Sequence, residues 1–148
     1  MRVAVILSAY NQPEWLRKAL WGYARQSYPD FEVLVADDGS GPATTAVLEE
    51  AWRRHPGLEL RHVWHEDRGY RKCVILNRAT LATAAEYLIF SDADCVPRDD
   101  FVASHARMAS PGRFLSGGAV RLPLELSRAL TEADVGSGGV FDPHWLVG

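Results

Sequence analysis

Four short runs rich in apolar residues occur in the first two thirds of the chain, and segments with helical spacing separate them. They predict strands at residues 3–7, 31–36, 58–64 and 87–90. Continuous runs rich in β-branched residues are typical of parallel strands that are covered on both faces. The pattern therefore predicts a mostly parallel sheet whose strands are joined by helices.

A helix is predicted after each of these strands. Asn11 is expected to cap the first helix, and Pro13 fits its first turn. The other helical segments lie around residues 47–52, at residues 71–86, and from Pro97 to about Met108. Alternation of strands and helices favours an α/β fold, with a doubly wound, mostly parallel sheet and right-handed crossovers.

The last third of the chain has a weaker pattern. Residues 114–122 predict a fifth strand at an edge of the sheet, with Gly117 and Gly118 inside it, and residues 124–130 predict a short helix. The stretch 136–139, Gly-Ser-Gly-Gly, is expected to be flexible. We expect all 148 residues to form a single domain, because 47% hydrophobic residues are sufficient for a core of two or three layers.

Charge and cysteine content exclude several classes of partner and site. The net charge is -3, and charged residues of both signs are spread along the sequence. The sequence therefore predicts no basic surface for a nucleic acid. Cys73 and Cys95 have no metal-binding spacing, and they predict neither a disulfide framework nor a zinc site. The apolar run at the N-terminus is too short to span a bilayer, so no membrane anchor is visible. We expect a cytoplasmic protein, with association at the inner face of a membrane as the alternative.

Polar residues follow three of the four predicted strands directly. The clusters are Tyr10-Asn11, Asp37-Asp38-Gly39-Ser40 and Asp92-Ala93-Asp94. In a doubly wound sheet, ligands bind beyond the carboxyl ends of the strands, where the strand order reverses. The three clusters therefore predict one ligand site at that edge.

Asp92 and Asp94 predict a metal site. Two carboxylates two residues apart at a strand end are expected to point the same way, where they would repel each other without a cation. Mg²⁺ and Mn²⁺ take one or two carboxylates together with water and phosphate oxygens. The alternative without a metal is a polar loop capped by aspartates.

The other polar clusters predict contacts with the organic part of a ligand and with its phosphates. Asp37 and Asp38 could accept hydrogen bonds from a base or ribose, although Asp-Gly-Ser is also ordinary turn chemistry. Arg71 and Lys72 lie at the start of a predicted helix, where the N-terminal end favours phosphate. A solvated basic turn is an equally simple explanation of these two residues.

The sequence lacks the motifs of three other enzyme classes. Hydrolysis by a Ser/His/Asp triad is poorly supported, because no Gly-x-Ser-x-Gly occurs. The P-loop pattern is absent as well. NAD binding would need Gly-x-Gly-x-x-Gly after the first strand, where the chain reads Ser-Ala-Tyr-Asn-Gln-Pro at residues 8–13.

Taken together, several of these motifs resemble family 2 glycosyltransferases of the GT-A fold. The matching segments are Val-Ile-Leu-Ser-Ala-Tyr-Asn at 5–11, Gln-Ser-Tyr-Pro at 26–29, Val-Ala-Asp-Asp-Gly-Ser at 35–40, Asn-Arg-Ala at 77–79 and Phe-Ser-Asp-Ala-Asp at 90–94. Residues 65–71 and 94–97 look closest to bacterial members that build polysaccharides or glycan chains, including the chondroitin-polymerase-like group. The resemblance covers about residues 3–105.

The resemblance implies an inverting transfer of a sugar from a nucleotide diphosphate sugar, commonly a UDP-sugar, to an acceptor hydroxyl of a glycan or another molecule. Asp38 or Asp37 would hold the nucleoside, with Tyr10 near the base and Asp67 as a further candidate; Asn11 belongs to the same pocket. Asp92 and Asp94 would form the DXD motif that holds Mn²⁺ or Mg²⁺ on the diphosphate.

The resemblance does not identify the general base. Glu132, Asp134 and Asp142 follow the DXD motif, but none lies in a recognisable motif. We therefore expect a donor-binding domain that is truncated at its C-terminus. Two alternatives stay open: a module that binds a nucleotide sugar without turnover, and a sugar nucleotidyltransferase, although the glycine-rich basic loop of that class is missing after the first strand.

Overall fold

The computed structural model describes residues 1–146 and contains a four-stranded parallel sheet. The strands are β1 Val3–Ala9, β2 Phe31–Asp37, β3 Leu60–Trp64 and β4 Tyr87–Asp92. Their order is β3-β2-β1-β4, and every neighbouring pair is parallel. The predicted α/β class with a parallel sheet is confirmed.

Helices cover both faces of this sheet. The helices of the described residues are α1 Pro13–Tyr23, α2 Pro42–Arg54, α3 Lys72–Leu81, α4 Phe101–Met108, α5 Leu124–Ala129 and α6 Glu132–Ser137. Two 3₁₀ turns, Gly139–Phe141 and Pro143–Leu146, follow. No helix within the described part of the chain is long and apolar enough to cross a membrane.

Alternate residues of the strands enter different cores. On one face, β1 residues such as Val5 and Leu7 pack in a core with Leu16 and Leu20 of α1 and Leu48 of α2. On the other face, β1 and β2 form a smaller core with Ile75 and Ala79 of α3. Burial on both faces explains why these strands have nearly continuous apolar sequences.

Several predicted elements differ in the structure, and the helix expected from Pro97 begins at Phe101 instead. Residues 114–122 form no strand, and Phe114 and Val120 are 89% and 78% exposed. Gly117 and Gly118 weaken a strand here, since glycine loses more backbone entropy than other residues and offers no side chain to pack. Helix α3 ends at Leu81 instead of near residue 86, and the hydroxyl of Thr83 accepts the Ala85 N–H in the turn that follows.

The prediction that Asn11 caps α1 is wrong. The cap position is taken by Gln12, without a side-chain hydrogen bond, while Pro13 begins the helix as predicted. Asn11 has a φ of 48°, and its side-chain oxygen accepts the N–H of Gly41 at 3.0 Å. Asn11 therefore ties the loop after β1 to the loop before α2.

The strand order places the switch point beside β1. The chain first adds β2 and β3 on one side of β1 and then crosses over to add β4 on the other. The register pairs Ser8 with Asp92 and Ala9 with Asp37, so the polar residues after these strands meet at one edge. This is the edge at which a doubly wound sheet binds ligands.

Candidate functional site at the carboxyl edge of the sheet

Asp92 ends β4 and receives two hydrogen bonds on one oxygen. The hydroxyl of Ser8 in β1 donates to Asp92 Oδ1 at 2.6 Å, and the ammonium group of Lys72, the first residue of α3, donates to the same oxygen at 2.7 Å. The Lys72 bond, followed by the Ser8 bond, lowers the pKa of Asp92, and the bond to Asp92 raises the pKa of Lys72. The Asp92 side chain is nevertheless 57% exposed, so it can still meet a ligand.

Asp94 lies in the turn after β4 and is exposed. The Cys95 N–H closes this turn on the Asp92 carbonyl oxygen at 3.1 Å. Because the strand ends at Asp92, the alternation of side chains along a strand does not set the direction of Asp94. Burial, followed by the charge of Asp94, raises the pKa of the Cys95 thiol, which makes this cysteine a poor nucleophile.

The donor set at this edge fits a metal that also binds a ligand. Within residues 1–146, no group of three or more His, Cys, Asp or Glu side chains is arranged to hold an ion. Mg²⁺ and Mn²⁺ in phosphate-binding sites, however, commonly use only one or two protein carboxylates and take their remaining oxygens from water and the substrate. Asp92 and Asp94 can supply that number.

Asp37, at the end of β2, is only 1% exposed and has partners for both carboxylate oxygens. Oδ1 accepts the Ser40 N–H at 2.8 Å, and Oδ2 lies 2.8 Å from Nε2 of His62 in β3. Burial raises the pKa of Asp37, but the hydrogen bonds from His62 and Ser40 outweigh it, so the net shift is downward. Asp37 thus holds the turn after β2 against β3.

Asp38 is 5% exposed, and its carboxylate joins three segments of the chain. Oδ1 lies 2.6 Å from Nε2 of His65, which follows β3, and Oδ2 accepts the Arg71 N–H at the cap of α3 at 2.8 Å. Nδ1 of His65 is buried and has no hydrogen-bond partner among residues 1–146. Asp38 therefore fixes the start of the helix that carries Lys72.

Gly39 allows the loop of residues 65–71 to approach the turn after β2. It has a φ of 99°, and a Cβ at this position would lie 2.5 Å from Cα of Asp67. Asp67 is exposed, and its Oδ2 accepts the phenol hydroxyl of Tyr10 at 2.9 Å. The structure thus brings together Tyr10 and Asp67, which the sequence placed in one pocket.

The turns after β1 and β2 are also tied to each other. The Asn11 N–H donates to Ser40 Oγ at 2.8 Å, and Trp64 Nε1 donates to the Ser40 carbonyl oxygen at 3.2 Å. Tyr10 and Trp64 remain 49% and 50% exposed, so two aromatic rings border the edge. Arg71 contributes its backbone here, whereas Arg68 pairs with Glu66.

Four side chains of this edge were missed by the sequence reasoning. Ser8 donates to Asp92, His62 and His65 hold Asp37 and Asp38, and Trp64 donates to the turn after β2. A prediction that β3 pairs in parallel with β2 could have suggested the roles of the two histidines, since residues at the carboxyl end of β3 lie beside Asp37. Their sequence alone contains no motif that marks them.

Comparison with known proteins gives a consistent family. The family model described as "Glycosyl transferase family 2" matches residues 4–121. Validoxylamine A glucosyltransferase from Streptomyces hygroscopicus subsp. jinggangensis is 33% identical over 121 residues, which cover 78% of this chain and 28% of that protein. Chondroitin synthase from Escherichia coli is 27% identical over 107 residues, covering 72% of this chain and 15% of that protein.

A solved structure supports the same fold. The mannosyltransferase PcManGT from Pyrobaculum calidifontis, in complex with GDP-Man and Mn²⁺, superposes with a TM-score of 0.67 and 31% identity. The match covers 74% of this chain and 33% of that one. The chain spans about a quarter of the length of the glucosyltransferase and about a third of the mannosyltransferase chain.

Proposed function

This chain belongs to glycosyl transferase family 2, and from that premise we propose that it takes part in transferring a sugar from a nucleotide diphosphate sugar to an acceptor hydroxyl. One observation carries the proposal: Asp92 and Lys72 lie at the switch point of a doubly wound sheet, on the same carboxyl edge as the exposed pair Tyr10 and Asp67. A nucleotide diphosphate presents a ring, hydroxyls and negative charge. These residues offer a matching surface for each.

The nucleoside is proposed to bind beside Tyr10 and Asp67. The Tyr10 ring can stack on a base, and the carboxylate of Asp67 can accept hydrogen bonds from ribose hydroxyls or a base N–H. Asp37 and Asp38 hold their neighbouring turns with both of their oxygens. We propose that they act on the nucleoside by shaping this pocket, and direct contact with it stays a prediction.

The diphosphate is proposed to bind beside Asp92. Asp92 and Asp94 would hold Mn²⁺ or Mg²⁺, which offsets the negative charge that develops on the leaving diphosphate. Lys72 and the N-terminal end of α3 would face the same phosphates, since the first N–H groups of a helix and its dipole favour anions. The mannosyltransferase solved with GDP-Man and Mn²⁺ supports this part of the proposal.

Inversion at the sugar needs a base that removes a proton from the acceptor hydroxyl. Three carboxylates that follow Asp94 in the sequence already have structural contacts: Glu132 pairs with Arg54, Asp134 closes the capping box of α6, and Asp142 accepts the His144 N–H. We assign the base to none of them. The likeness to chondroitin synthase supports a glycan as the acceptor.

Calorimetric titration tests the proposal. UDP and GDP are titrated separately into the purified chain, each with and without Mn²⁺. We expect UDP to bind. GDP is included because PcManGT was solved in complex with GDP-Man. We expect metal-dependent binding that the double variant Asp92→Asn, Asp94→Asn loses.

A matched control removes the same charge elsewhere. Asp99→Asn, Asp142→Asn changes two exposed carboxylates and should bind as the wild type does. If neither nucleotide binds with Mn²⁺, or if the two double variants behave alike, the proposed function is wrong. Binding of the metal–nucleotide complex without sugar transfer to any acceptor would instead favour the alternative of a nucleotide-sugar-binding module.

A further inference from the structure

Lys72 occupies the side of Asp92 on which a cation would be expected. Its Nζ lies 2.7 Å from Oδ1, and the Lys72 side chain is 37% exposed. Asp92 has another donor on that oxygen, the neutral hydroxyl of Ser8. Lys72 is therefore a positively charged partner that neutralises Asp92.

We propose that Lys72 is an internal counter-ion that competes with the divalent metal for Asp92 and moves to the donor diphosphate when the metal binds. This inference rests on the proposed function, because it names a further role for a residue of the same site. It predicts that metal and nucleotide each help the other to bind.

Lys72 and a metal ion would compete for the same oxygen of Asp92. Mg²⁺ binds carboxylate oxygens at about 2.0–2.1 Å, so an ion on Oδ1 would lie within a few ångströms of the Lys72 ammonium group. Two cations at that separation repel each other. Ser8 can stay in place, because its hydroxyl carries no charge.

The Lys72 side chain can move while its helix stays in place. The backbone at the start of α3 is held by the bond from the Arg71 N–H to Asp38, a carboxylate that is buried against His65. The Lys72 side chain, in contrast, is a flexible four-carbon stem with a compact charge at its end. The ammonium group can therefore leave Asp92 while the helix remains where it is.

The consequence is coupling between two ligands. Mn²⁺ that binds without a nucleotide must displace Lys72 from Asp92, and the charge of Lys72 is then left without a partner. When a nucleoside diphosphate is present, its phosphates offer Lys72 a new partner, and the same displacement costs less. Linkage requires that the nucleotide raise the metal affinity by the same factor as the metal raises the nucleotide affinity.

The test measures Mn²⁺ binding to the full chain without nucleotide, by electron paramagnetic resonance of the free ion. Lys72→Met removes the charge and keeps a long side chain. The control Arg78→Met removes one positive charge from an exposed position of the same helix. We expect Lys72→Met to bind Mn²⁺ about two- to fivefold more tightly than the wild type, the range that one exposed ion pair can supply.

A second titration, of UDP and of GDP at saturating Mn²⁺, should give the opposite sign. Lys72→Met should bind the nucleotide more weakly, and Arg78→Met should match the wild type in both experiments. Metal affinity that is unchanged or lower in Lys72→Met, or too weak to measure in both proteins, overturns the competition. Nucleotide binding that is indifferent to Mn²⁺ and to Asp92→Asn would refute the proposed function itself, whatever Lys72→Met does.

Discussion

Nε2 of His65 lies 2.6 Å from Oδ1 of Asp38, and both side chains are almost completely buried. The second oxygen of Asp38 accepts the Arg71 N–H, so the pair connects the ends of β2 and β3 to the start of α3. This buried contact thereby fixes the start of the helix that carries Lys72. The position of a charged group at the site depends on this buried pair.

Replacing His65 should therefore reduce the stability of the fold. His65→Ala leaves the buried carboxylate of Asp38 without one partner and should reduce the free energy of unfolding by about 1–3 kcal/mol. His65→Gln keeps an N–H donor and should lose less. Urea unfolding monitored by tryptophan fluorescence measures this, with the exposed His144→Ala as the control. Equal unfolding midpoints for the two alanine variants would contradict the role assigned to His65.

Gly39 should not tolerate a side chain. Gly39→Ala places a methyl group 2.5 Å from Cα and 2.6 Å from the backbone N of Asp67, in a backbone conformation that only glycine adopts readily. We expect a loss of about 1–3 kcal/mol in the free energy of unfolding, together with weaker nucleotide binding as Asp67 is displaced. Gly57→Ala is the matched control, since nothing lies within 4 Å of its Cβ. Similar thermal midpoints for the two variants would refute the close approach.

The sheet, and the edge at which the candidate polar residues meet, could be predicted from the sequence because both depend on local patterns. Buried parallel strands need apolar residues on both faces, and polar residues after β1, β2 and β4 mark their carboxyl ends. The pairings of His62 with Asp37 and His65 with Asp38 follow from the register of β3 against β2, which no local pattern encodes. The prediction of a fifth strand was wrong for a related reason. Residues 114–122 have a strand-like composition, but a strand also needs a neighbouring strand with which to pair.

The carboxylate of Asp37 should make the fold sensitive to acid. Its folded-state pKa is lower than its ordinary value of 3.8, so the unfolded chain binds more protons in this range and stability rises with pH. The contribution of Asp37 is fully present above about pH 4–5 and is lost as the pH falls through the folded-state pKa. Unfolding free energies measured between pH 7 and pH 3 should fall less steeply in Asp37→Asn than in the wild type. The exposed Asp99→Asn should retain the wild-type slope, and equal slopes for all three proteins would contradict the prediction.

The ring and the hydroxyl of Tyr10 should contribute differently to nucleotide binding. Tyr10→Phe removes only the bond to Asp67, which is exposed to solvent, and should change the affinity for UDP or GDP little. Tyr10→Ala also removes the surface on which a base can stack, and should weaken binding about fivefold or more. Calorimetry with Mn²⁺ present distinguishes the two. If both variants lose affinity equally, the hydroxyl and not the ring makes the important contact.

Lys18 should hold α5 against α1. It is only 5% exposed, and its Nζ donates to the carbonyl oxygens of Ser127 and Arg128 at 2.6 and 2.7 Å, where the last carbonyls of α5 lack helical partners. Lys18→Met keeps most of the apolar stem but removes both bonds, which should reduce the free energy of unfolding by about 1–3 kcal/mol. Hydrogen exchange should accelerate in residues 124–130 more than in α2.

The neighbouring Arg17→Met removes a partly exposed ion pair with Glu50 and should cost less. Because Lys18 makes these bonds from the first turns of α1, unchanged exchange in residues 124–130 would show that α5 is held there by its apolar contacts alone.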